Sequence, residues 1–557
     1  MARAVRSTPA LPDIIVAPMN ELLTAASIRR LEAAALAALP GGILMARAAE
    51  AVAEATARLA RTLEPGRPVL ALVGPGNNGG DALLAALRLR ERGYACRAIA
   101  LRPAGASHGD AGEAWRAART AGLRIDGVEA LREALEAAPI AIDGLFGIGL
   151  DRALDGPAAA LCGALREARV PVVAVDVPSG IDADTGAIVG GPGAAAVRAV
   201  CTVTMIADKP GLHTGAALDH AGTVQVAGLG LEAQRAALVD EEMLAHRQAL
   251  TGEHALLHER TPAGGRAPGA GPGLAAGRLF GAAQAAAALP RRARDSHKGS
   301  YGAVLAYGGD TGTRGAVLLA ARGAQALGAG KVFVATPAGE LFDPGQPQLM
   351  TADGDAPFDR FDVVVIGCGL GTSARAHARL AAALAQARAL VLDADALNLM
   401  AADATLATAG VAGLREGHGA RRVVMTPHPL EAARLLGCDA THIQADRRGA
   451  ALELARRFGA VALLKGAGSI VATPEGAWAV VDAGGPALAT AGTGDVLAGM
   501  IGARLAQGDD AADAACVAAW LHGRAATMWE AARGHAEGLS AAELPALARE
   551  VLGTLAA

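Results

Sequence analysis

The chain has 557 residues, of which 52% are hydrophobic and 19% are charged, with a formal net charge of -4 at pH 7. A single core rarely grows past roughly 250–300 residues, so we expect two large domains, and the apolar content excludes global disorder. The small negative charge and an aromatic content of 3% argue against a nucleic-acid-binding surface.

The six cysteines are scattered, without a C-x-x-C pair or zinc-ligand spacing, which predicts unpaired thiols in a reducing compartment. The first residues lack the apolar stretch of a secretory signal, and no segment is long and apolar enough to span a membrane. We therefore expect a cytoplasmic protein with neither a membrane partner nor a nucleic-acid partner.

Short β-branched runs recur along the chain, each followed by a Gly-rich turn and an Ala/Leu/Arg-rich helical stretch. They occupy residues 68–74, 96–101, 140–147, 170–176, 201–207, 303–309, 331–337, 362–367, 389–395, 422–427 and 460–466. Continuous apolar strands that alternate with helices indicate parallel sheets buried on both faces. The predicted fold class is α/β, with two three-layer α/β/α domains.

The alternating pattern fails in the middle of the chain, where residues 261–277 read TPAGGRAPGAGPGLAAG. This Gly/Pro-rich composition is typical of a linker. We place the linker at 233–284, between a domain at 12–232 and a second domain at 285–557. The two halves show no residue-level repeat, so we expect two different domains.

In the first half, the strand at 68–74 leads into GPGNNGGD, residues 74–81. Ligands of open parallel sheets bind beyond the carboxyl ends of the strands. Glycines there expose backbone amides at a helix start, which is an anion site. An ordinary turn with a helix cap explains a lone Gly-rich turn, but two amides and an acid on the same turn favour a ligand site.

Three oxygen-bearing side chains follow neighbouring strands: Asn78, Asp143 and Ser179. Hard oxygen donors of this kind hold cations that bridge phosphates. Taken singly, Asp143 and Ser179 are more often cap and turn residues. Their shared position at strand ends favours a site.

The blocks GPGNNGGD, IDGLFGIGLD and VDVPSGIDADTG resemble the N-terminal epimerase module of the NAD(P)H-hydrate repair family, over about residues 12–232. The resemblance implies a Rossmann-like domain that interconverts the R and S hydrates of NADH and NADPH. It implies acid–base work and substrate contact at Asp176, and potassium ligands at Asn78, Asp143 and Ser179. The substrate contacts it further implies are Asn77, Asn78, Gly79, Gly80, Asp81, Gly147, Ile148, Gly149, Leu150, Asp151, Arg152 and Ala153.

The first half also departs from the family pattern. Ala82 stands where the family usually has Gly, and Leu44-Met45 is followed by Ala-Arg-Ala-Ala instead of Glu-Asn-Ala-Gly. These changes leave it open whether the domain retains epimerase activity. Lys209 resembles a family position, but a solvated loop lysine explains it equally well.

The sharpest signal in the second half is the segment GGPALATAGTGDVLAGMIGARLAQG, residues 484–508. Gly492 and Gly494 expose amides at the start of an apolar helix, where the helix dipole favours anionic oxygen. Asp495 then lies where it can take a proton from a hydroxyl that attacks phosphorus. A bare helix cap is the alternative, although it requires no Gly-Thr-Gly.

Further Gly-rich or polar turns follow other strands of this half. Lys465 opens the turn KGAGS, whose glycines suit nucleotide phosphates. His428 lies between two prolines and is either a ligand contact or a structural turn histidine. Asp393, Asp395 and Asn398 follow a strand and either contact a metal or cap a helix.

In this order, these blocks resemble the C-terminal dehydratase module of the same family, which has a ribokinase-like fold, over about residues 285–550. The resemblance implies dehydration of the S hydrate coupled to Mg²⁺ with ADP or ATP, by phosphorylation of the C6 hydroxyl and loss of phosphate. It implies hydrate contacts at Ala316, Gly369, His428 and Asp495, with Asp495 as the base. The implied nucleotide contacts are Lys465, Gly466, Ala467, Gly468, Ser469, Gly485, Pro486, Ala487, Leu488, Ala489, Thr490, Ala491, Gly492, Thr493 and Gly494.

Departures in this half are modest. Cys368 replaces the usual Pro, Leu430 replaces the usual Gly, and Gly stands at 484–485 where an Asn is usual. Two alternative functions remain open: a ribokinase-type kinase for a sugar or vitamin precursor, and a dehydratase whose first half only binds nucleotide-like ligands. We expect a homo-oligomer, and the sequence does not choose between ADP and ATP.

Overall fold

The computed structural model describes residues 20–102, 108–242, 244, 276–406 and 421–556. The chain divides between Leu256 and Leu257 into two compact units, and this division falls within the predicted linker. Most of that linker, residues 243 and 245–275, lies outside the described residues, as do residues 1–19. The predicted start of the first domain, at residue 12, also lies outside the described residues.

The first unit contains a seven-stranded parallel sheet. The short strand β1 Glu21–Leu23 precedes this sheet in the chain and is not one of its seven strands. The seven strands are β2 Val69–Val73, β3 Cys96–Ala100, β4 Arg124–Gly127, β5 Ile140–Gly144, β6 Val172–Val175, β7 Cys201–Met205 and β8 Thr223–Ala227. The sheet order is β4-β3-β2-β5-β6-β7-β8, with every neighbouring pair parallel. The order reverses between β2 and β5, the point at which doubly wound sheets bind ligands.

Helices cover both faces of this sheet. Those described are Ala25–Ala38, Ile43–Thr62, Asn77–Glu91, Gly109–Thr120, Leu131–Glu136 and Gly156–Glu167. Helices Ile43–Thr62 and Asn77–Glu91 pack against each other and the sheet, while Gly156–Glu167 packs on the face that carries Leu70 and Leu72. This confirms the predicted three-layer arrangement, with the core between sheet and helices.

The second unit contains ten described strands. They are β9 Ala276–Phe280, β10 Ala303–Tyr307, β11 Lys331–Ala335, β12 Met350–Thr351, β13 Val363–Ile366, β14 Ala389–Leu392, β15 Arg422–Met425, β16 Val461–Leu464, β17 Ile470–Ala472 and β18 Trp478–Val481. They lie in the order β9-β18-β17-β16-β15-β14-β13-β10-β11-β12. The pairs β16–β17 and β17–β18 are antiparallel, whereas the sequence pattern predicted parallel strands alone.

The helices of this unit include a closely packed pair on one face of the sheet. Those described are Ala282–Ala287, Arg314–Ala326, Ala374–Gln386, Asp395–Ala402, Pro429–Leu436, Ala440–Ala445, Arg447–Phe458, Thr493–Ala506, Ala511–Arg533 and Leu544–Ala556. A Cβ at Gly499 would lie 1.8 Å from the Ala320 carbonyl oxygen. Glycine is therefore required where Thr493–Ala506 packs on Arg314–Ala326, and this close contact fixes the start of the helix that carries Asp495.

All eleven predicted strands are present. The predicted boundary at 285 differs from the structure, because β9 begins at Ala276 and pairs in parallel with β18. Residues 276–284 thus belong to the second unit and not to a linker. Within the described residues, no helix combines the length and apolar character needed to cross a membrane.

Candidate active sites

The first unit has a cavity of about 380 Å³ at the carboxyl ends of β2, β5, β6 and β7. Predicted residues supply much of its lining: Asn77, Asn78, Asp81, Gly147, Ile148, Gly149, Leu150 and Asp176. The other predicted contacts, which do not line it, are Gly79, Gly80, Asp151, Arg152 and Ala153. The cavity therefore brings together the polar residues of the first motif and the first half of the predicted loop.

One glycine of the first motif is required by backbone packing, and a second lies against the end of a side chain. A Cβ at Gly79 would lie 2.3 Å from the Gly74 carbonyl oxygen, and one at Gly80 would lie 2.8 Å from the Met45 side chain. By contrast, a Cβ at Gly76 would meet no atom within 4 Å. Gly79 and Gly80 thus let the helix Asn77–Glu91 begin against the sheet, and Gly76 leaves its start open to the cavity.

Two of the three predicted cation ligands, Asp143 and Ser179, are hydrogen-bonded to each other, while Asn78 bonds to the backbone at the end of β6. The buried Asp143 carboxylate accepts hydrogen bonds from the Ser179 hydroxyl at 2.7 Å and the Ser179 N–H at 2.8 Å. Asn78 Nδ2 donates to the Val175 carbonyl at 2.9 Å, and its amide lies against Gly147. Burial raises the pKa of Asp143 to about 6, because neutral donors alone incompletely replace water around a carboxylate.

Asp176 forms a buried ion pair with Lys209, whose Nζ lies 2.7 Å from Asp176 Oδ1. Lys209 also donates to the Thr204 hydroxyl at 2.6 Å and to the carbonyls of Met205 and Ala207. It is fully buried, so it is not a solvated loop lysine. The two side chains form a charged pair that can hold and move a proton at the cavity.

Asp176 is one of three non-glycine residues with positive φ at this cavity. Their φ angles are +69° at Asp176, +68° at Ile206 and +55° at Leu229, and each follows the end of β6, β7 or β8. Left-handed backbone is costly for branched or bulky residues and clusters at functional sites. The surrounding structure therefore holds these three residues in place along one wall of the cavity.

Arg47 supports this wall at the position where the family usually has Asn. Its Nη1 donates to the Leu229 carbonyl at 2.6 Å, and a Cβ at Gly230 would lie 2.6 Å from the same nitrogen. The neighbouring Ala48 lines the cavity. The altered segment that follows Leu44-Met45 thus still contacts the cavity wall, through Arg47.

The cavity is rich in carboxyl groups. Glu32, Asp81, Asp110 and Asp176 all line it. Burial and the neighbouring charge of Asp176 raise the pKa of Asp81 well above its usual range and also raise the pKa of Glu32. Carboxyl groups with separated proton affinities provide both a proton donor and a proton acceptor.

In the second unit, Asp495 lies in the first turn of the helix Thr493–Ala506, after Gly492 with φ +91°. The Cys368 sulfur and one carboxylate oxygen each from Asp393 and Asp495 lie within 4.8 Å of one another. Burial, together with the charge of Asp393, raises the pKa of Asp495 to about 6. Such a carboxylate is a stronger base than an exposed one and is still ionised at neutral pH.

Lys465 connects the turn after β16 to this carboxylate pair. Its Nζ lies 2.6 Å from Asp393 Oδ1, which also accepts from the Thr426 hydroxyl at 2.8 Å. A Cβ at Gly494 would lie 3.3 Å from Nζ. The Lys465 ammonium and the backbone amides at the start of this helix are therefore close enough to bind the same anion.

Three buried or half-buried side chains hold the predicted nucleotide segments. Arg447 donates to the carbonyls of Lys465 and Gly468 beneath the KGAGS turn. Glu530 accepts the Ala487 N–H at 2.7 Å. His522 Nε2 lies 2.9 Å from the Thr493 carbonyl, and burial lowers the pKa of this histidine to about 4, so it is a neutral donor there.

The other predicted hydrate contacts lie at neighbouring strand ends. His428 caps its helix, with Nδ1 accepting from the N–H groups of Leu430 and Glu431, while Glu431 accepts the His428 N–H at 2.8 Å. Gly369, with φ +60°, packs against Thr313, and Ala316 lies in the first turn of Arg314–Ala326. The structural role of His428 is therefore that of a helix cap, and its Nε2 atom lies near the Glu431 carboxylate.

Both units match known protein families. The family model described as NAD(P)H-hydrate dehydratase matches residues 304–546, and the one described as YjeF-related protein N-terminus matches residues 41–211. The Bifunctional NAD(P)H-hydrate repair enzyme Nnr of Coxiella burnetii is 35% identical over 514 residues, covering 90% of this chain and 93% of that protein. The Escherichia coli protein of the same name is 35% identical over 512 residues, covering 90% and 87%.

The chain belongs to the bifunctional NAD(P)H-hydrate repair enzyme family.

The resemblance inferred from the motifs is thereby confirmed for both halves. The second half of this family member is also 43% identical over 265 residues to the ADP-dependent (S)-NAD(P)H-hydrate dehydratase of Neisseria meningitidis, covering 46% of this chain and 87% of that protein. A Bacillus subtilis ADP/ATP-dependent NAD(P)H-hydrate dehydratase co-crystallised with ATP/Mg²⁺ matches with a TM-score of 0.43 and 31% identity, over 50% of this chain and 98% of that one.

For this repair-enzyme chain, the sequence reasoning missed several residues that support the two sites. Glu32 and Asp110 line the first cavity but carry no motif around them. Arg447, His522 and Glu530 lie within ordinary helical patterns. Their polar character at buried or half-buried positions was a usable signal, since a charged residue that faces the core needs a polar partner.

Proposed function

We propose that this chain repairs hydrated NADH and NADPH in two steps, each in its own unit. The first unit interconverts the R and S hydrates, and the second dehydrates the S hydrate at the expense of a nucleotide. Full-length similarity to bifunctional repair enzymes supports the pairing of these activities. The observation that carries the chemistry is the placement of Asp495 at a glycine-lined helix start, beside Lys465 and Asp393.

In the second unit, Asp495 takes the proton of the C6 hydroxyl as that oxygen attacks the terminal phosphorus of the nucleotide. The bond between the phosphorus and the bridging oxygen breaks, and the shortened nucleotide leaves. The C6–O bond then breaks with its electron pair on phosphate, and loss of a C5 proton forms the ring double bond. Lys465 and the amides at 492–494 stabilise the anionic oxygens throughout.

We propose ADP as the phosphoryl donor, since the similar Neisseria protein is named ADP-dependent. The segments 465–469 and 485–494 hold the nucleotide in this proposal, with His428, Gly369 and Ala316 on the hydrate side. Mg²⁺ would accompany the nucleotide phosphates and neutralise their charge, and the Asp393 carboxylate beside Lys465 offers an oxygen donor suited to it.

In the first unit, epimerisation reverses the configuration at C6, the carbon that carries the hydroxyl and adjoins the ring nitrogen. A proton is delivered to the hydroxyl as the C6–O bond breaks and water leaves, and the electron pair of the ring nitrogen stabilises the cationic carbon. Water then adds to the opposite face of C6 and gives up a proton. We assign this work to Asp176 with its partner Lys209, while Asn77 to Asp81 and Gly147 to Ala153 hold the rest of the substrate. The residues Asn78, Asp143 and Ser179 are the proposed K⁺ ligands. Asp143 is a buried carboxylate supported by neutral hydrogen-bond donors, and such a group fits a monovalent cation.

The test is incubation of the pure protein with the S hydrate of NADH and ADP. We expect reduced cofactor to return, measured by its near-ultraviolet absorbance, with one AMP and one phosphate per NADH. A small-molecule kinase would consume nucleotide on its own substrate without returning NADH from the hydrate. We further propose that the protein acts in the cytoplasm and that it is a homo-oligomer. Sedimentation of the pure protein would test the oligomeric state.

A further inference from the structure

The walls of the first cavity carry carboxyl groups and, within the described residues, neither arginine nor lysine. Glu32, Asp81, Asp110 and Asp176 supply the acidic side chains, and Lys209 is fully buried against Asp176. The hydrated cofactor that we propose as substrate is itself an anion, because a diphosphate joins its two halves. Like charges that share one site repel each other, so binding of the diphosphate calls for a further positive charge at the cavity.

Arg29 provides a positive charge at the rim of this cavity, on the first described helix. Ile28, Glu32 and Leu36 of that helix line the cavity, because residues four apart share one helical face. Arg29 adjoins this face, and its Nη2 donates to the Ile148 carbonyl at 2.7 Å. Ile148 belongs to the loop that also lines the cavity, so the guanidinium lies between the helix and the loop.

The Arg29 guanidinium has donors available for a ligand. The residue is exposed, and across the described part of the chain its side chain forms one hydrogen bond, to the loop carbonyl, and no ion pair. A guanidinium carries five N–H donors and stays charged in proteins. The next residue, Arg30, is also exposed but pairs with Glu241 at 3.2 Å and with Glu242 at 3.1 Å.

The loop beside Arg29 is fixed on one side and open on the other. A Cβ at Gly147 would lie 2.5 Å from the Asn78 Nδ2 atom, so the loop begins in close contact with that amide. The bond from Arg29 holds the following residue, Ile148. A Cβ at Gly149 would meet no atom within 4 Å. The loop therefore leaves room for a ligand one residue beyond its contact with the arginine.

We propose that Arg29 is a substrate-binding residue of the first unit, whose guanidinium contacts the diphosphate of the hydrated cofactor beside the loop at 147–149. The proposal rests on the epimerase function proposed above. Arginine suits this contact because its planar fork of donors binds phosphate oxygens in pairs. It supplies the positive charge that the acidic walls of the cavity lack.

The test compares R-to-S exchange in Arg29→Gln, Arg29→Lys and Arg30→Gln. For hydrated NADH, we expect Arg29→Gln to raise the KM roughly tenfold or more with kcat little changed, because the lost contact is made equally in the ground state and the transition state. Arg29→Lys keeps the charge and should recover part of the loss. Arg30→Gln is the matched control, and its KM should equal that of the original protein.

Hydrated, reduced nicotinamide riboside separates a ligand contact from a purely structural one, since it has the reacting ring and no phosphate. With this substrate, Arg29→Gln should react like the original protein. An equal loss with both substrates would show that the arginine only holds the loop, and would overturn the proposal. A loss confined to hydrated NADPH would overturn it too, because the contact would then be with the 2′-phosphate.

Binding of ADP-ribose needs no turnover, because this probe has the diphosphate and lacks the nicotinamide ring. In calorimetric titration we expect a Kd in Arg29→Gln roughly tenfold above that in Arg30→Gln, and any binding in the second unit is common to both variants. If the original protein lacks exchange and this difference persists, the proposed epimerase function is wrong and the contact stands. Equal Kd values would refute the contact itself.

Discussion

Lys209 Nζ lies 2.7 Å from Asp176 Oδ1 inside the first unit, with the lysine fully buried and the aspartate 6% exposed. Removing one member of such a pair leaves the other as an uncompensated buried charge, which costs roughly 3–5 kcal/mol. We predict that Lys209→Met destabilises the first unit by an amount of this order and stops R-to-S exchange. Chemical denaturation and a chiral assay of the hydrates would measure the two effects.

The double variant Asp176→Asn/Lys209→Met separates stability from chemistry. It removes both charges, so most of the lost unfolding free energy should return while exchange stays absent. If the double variant recovers exchange, the pair is structural and the proposed acid–base role is wrong.

Asp495 sets the pH dependence of dehydration in this account. Its pKa is raised to about 6 by burial and by Asp393, and the base works only when ionised. We therefore predict that kcat falls as the pH drops through about 6 and is retained above it. Asp495→Asn should lose roughly 10²–10⁴-fold in kcat, the usual contribution of a general base. Full activity well below this pH would contradict the assignment.

The buried carboxyl group of Asp143 leads us to predict that potassium affects the stability of the first unit. Its pKa of about 6 in the fold exceeds the ordinary value for aspartate, so the folded state binds the proton more tightly than the unfolded state. Stability should then decrease as the pH rises through about 6, and K⁺ should offset this loss by compensating the ionised carboxylate.

Hydrogen–deuterium exchange over residues 172–179 would detect this effect in potassium chloride against choline chloride at equal ionic strength. We expect protection by K⁺ above the Asp143 midpoint and little below it. Asp143→Asn should show the same exchange in both salts. A persistent K⁺ response in that variant would place the cation elsewhere.

Replacing Arg447 should weaken nucleotide binding and leave the base, Asp495, in place. Its guanidinium donates to carbonyls of Lys465 and Gly468, and thereby shapes the turn assigned to the nucleotide. We predict that Arg447→Met raises the Kd for ADP at least tenfold, and that Arg447→Lys recovers part of the loss. Calorimetric titration with ADP measures this directly. An unchanged Kd in a folded Arg447→Met protein would exclude the role.

The sequence predicted the central strands and the positions of the main ligand loops. The run Val363–Ile366 and its counterparts are apolar throughout because central parallel strands are buried on both faces. The prediction at Asp176 depended on the rule that ligands bind at carboxyl strand ends, and the structure places Asp176 at the first cavity. The prediction at Asp495 depended on the glycines at a helix start, and the structure places Asp495 in the first turn of that helix.

The missed features depend on contacts between residues distant in sequence. β12 has two residues and β17 has three, which is too short for a detectable pattern. In the sequence, Lys209 looks like a loop lysine. In the fold, its Nζ donates hydrogen bonds to Thr204, Met205 and Ala207. The His522 contact with the Thr493 carbonyl joins two helices, and no local pattern in either helix shows it.

The most direct test of the two-step account uses an equal mixture of R and S hydrates of NADH with ADP. Over the time in which the original protein returns all of the reduced cofactor, Asp176→Ala should return only the S share. Asp495→Asn should return almost none in that time, while still interconverting the isomers. Mixing the two variants should restore complete return, because the two sites act in separate units. Failure of the mixture, or loss of both activities in either variant, would contradict the account.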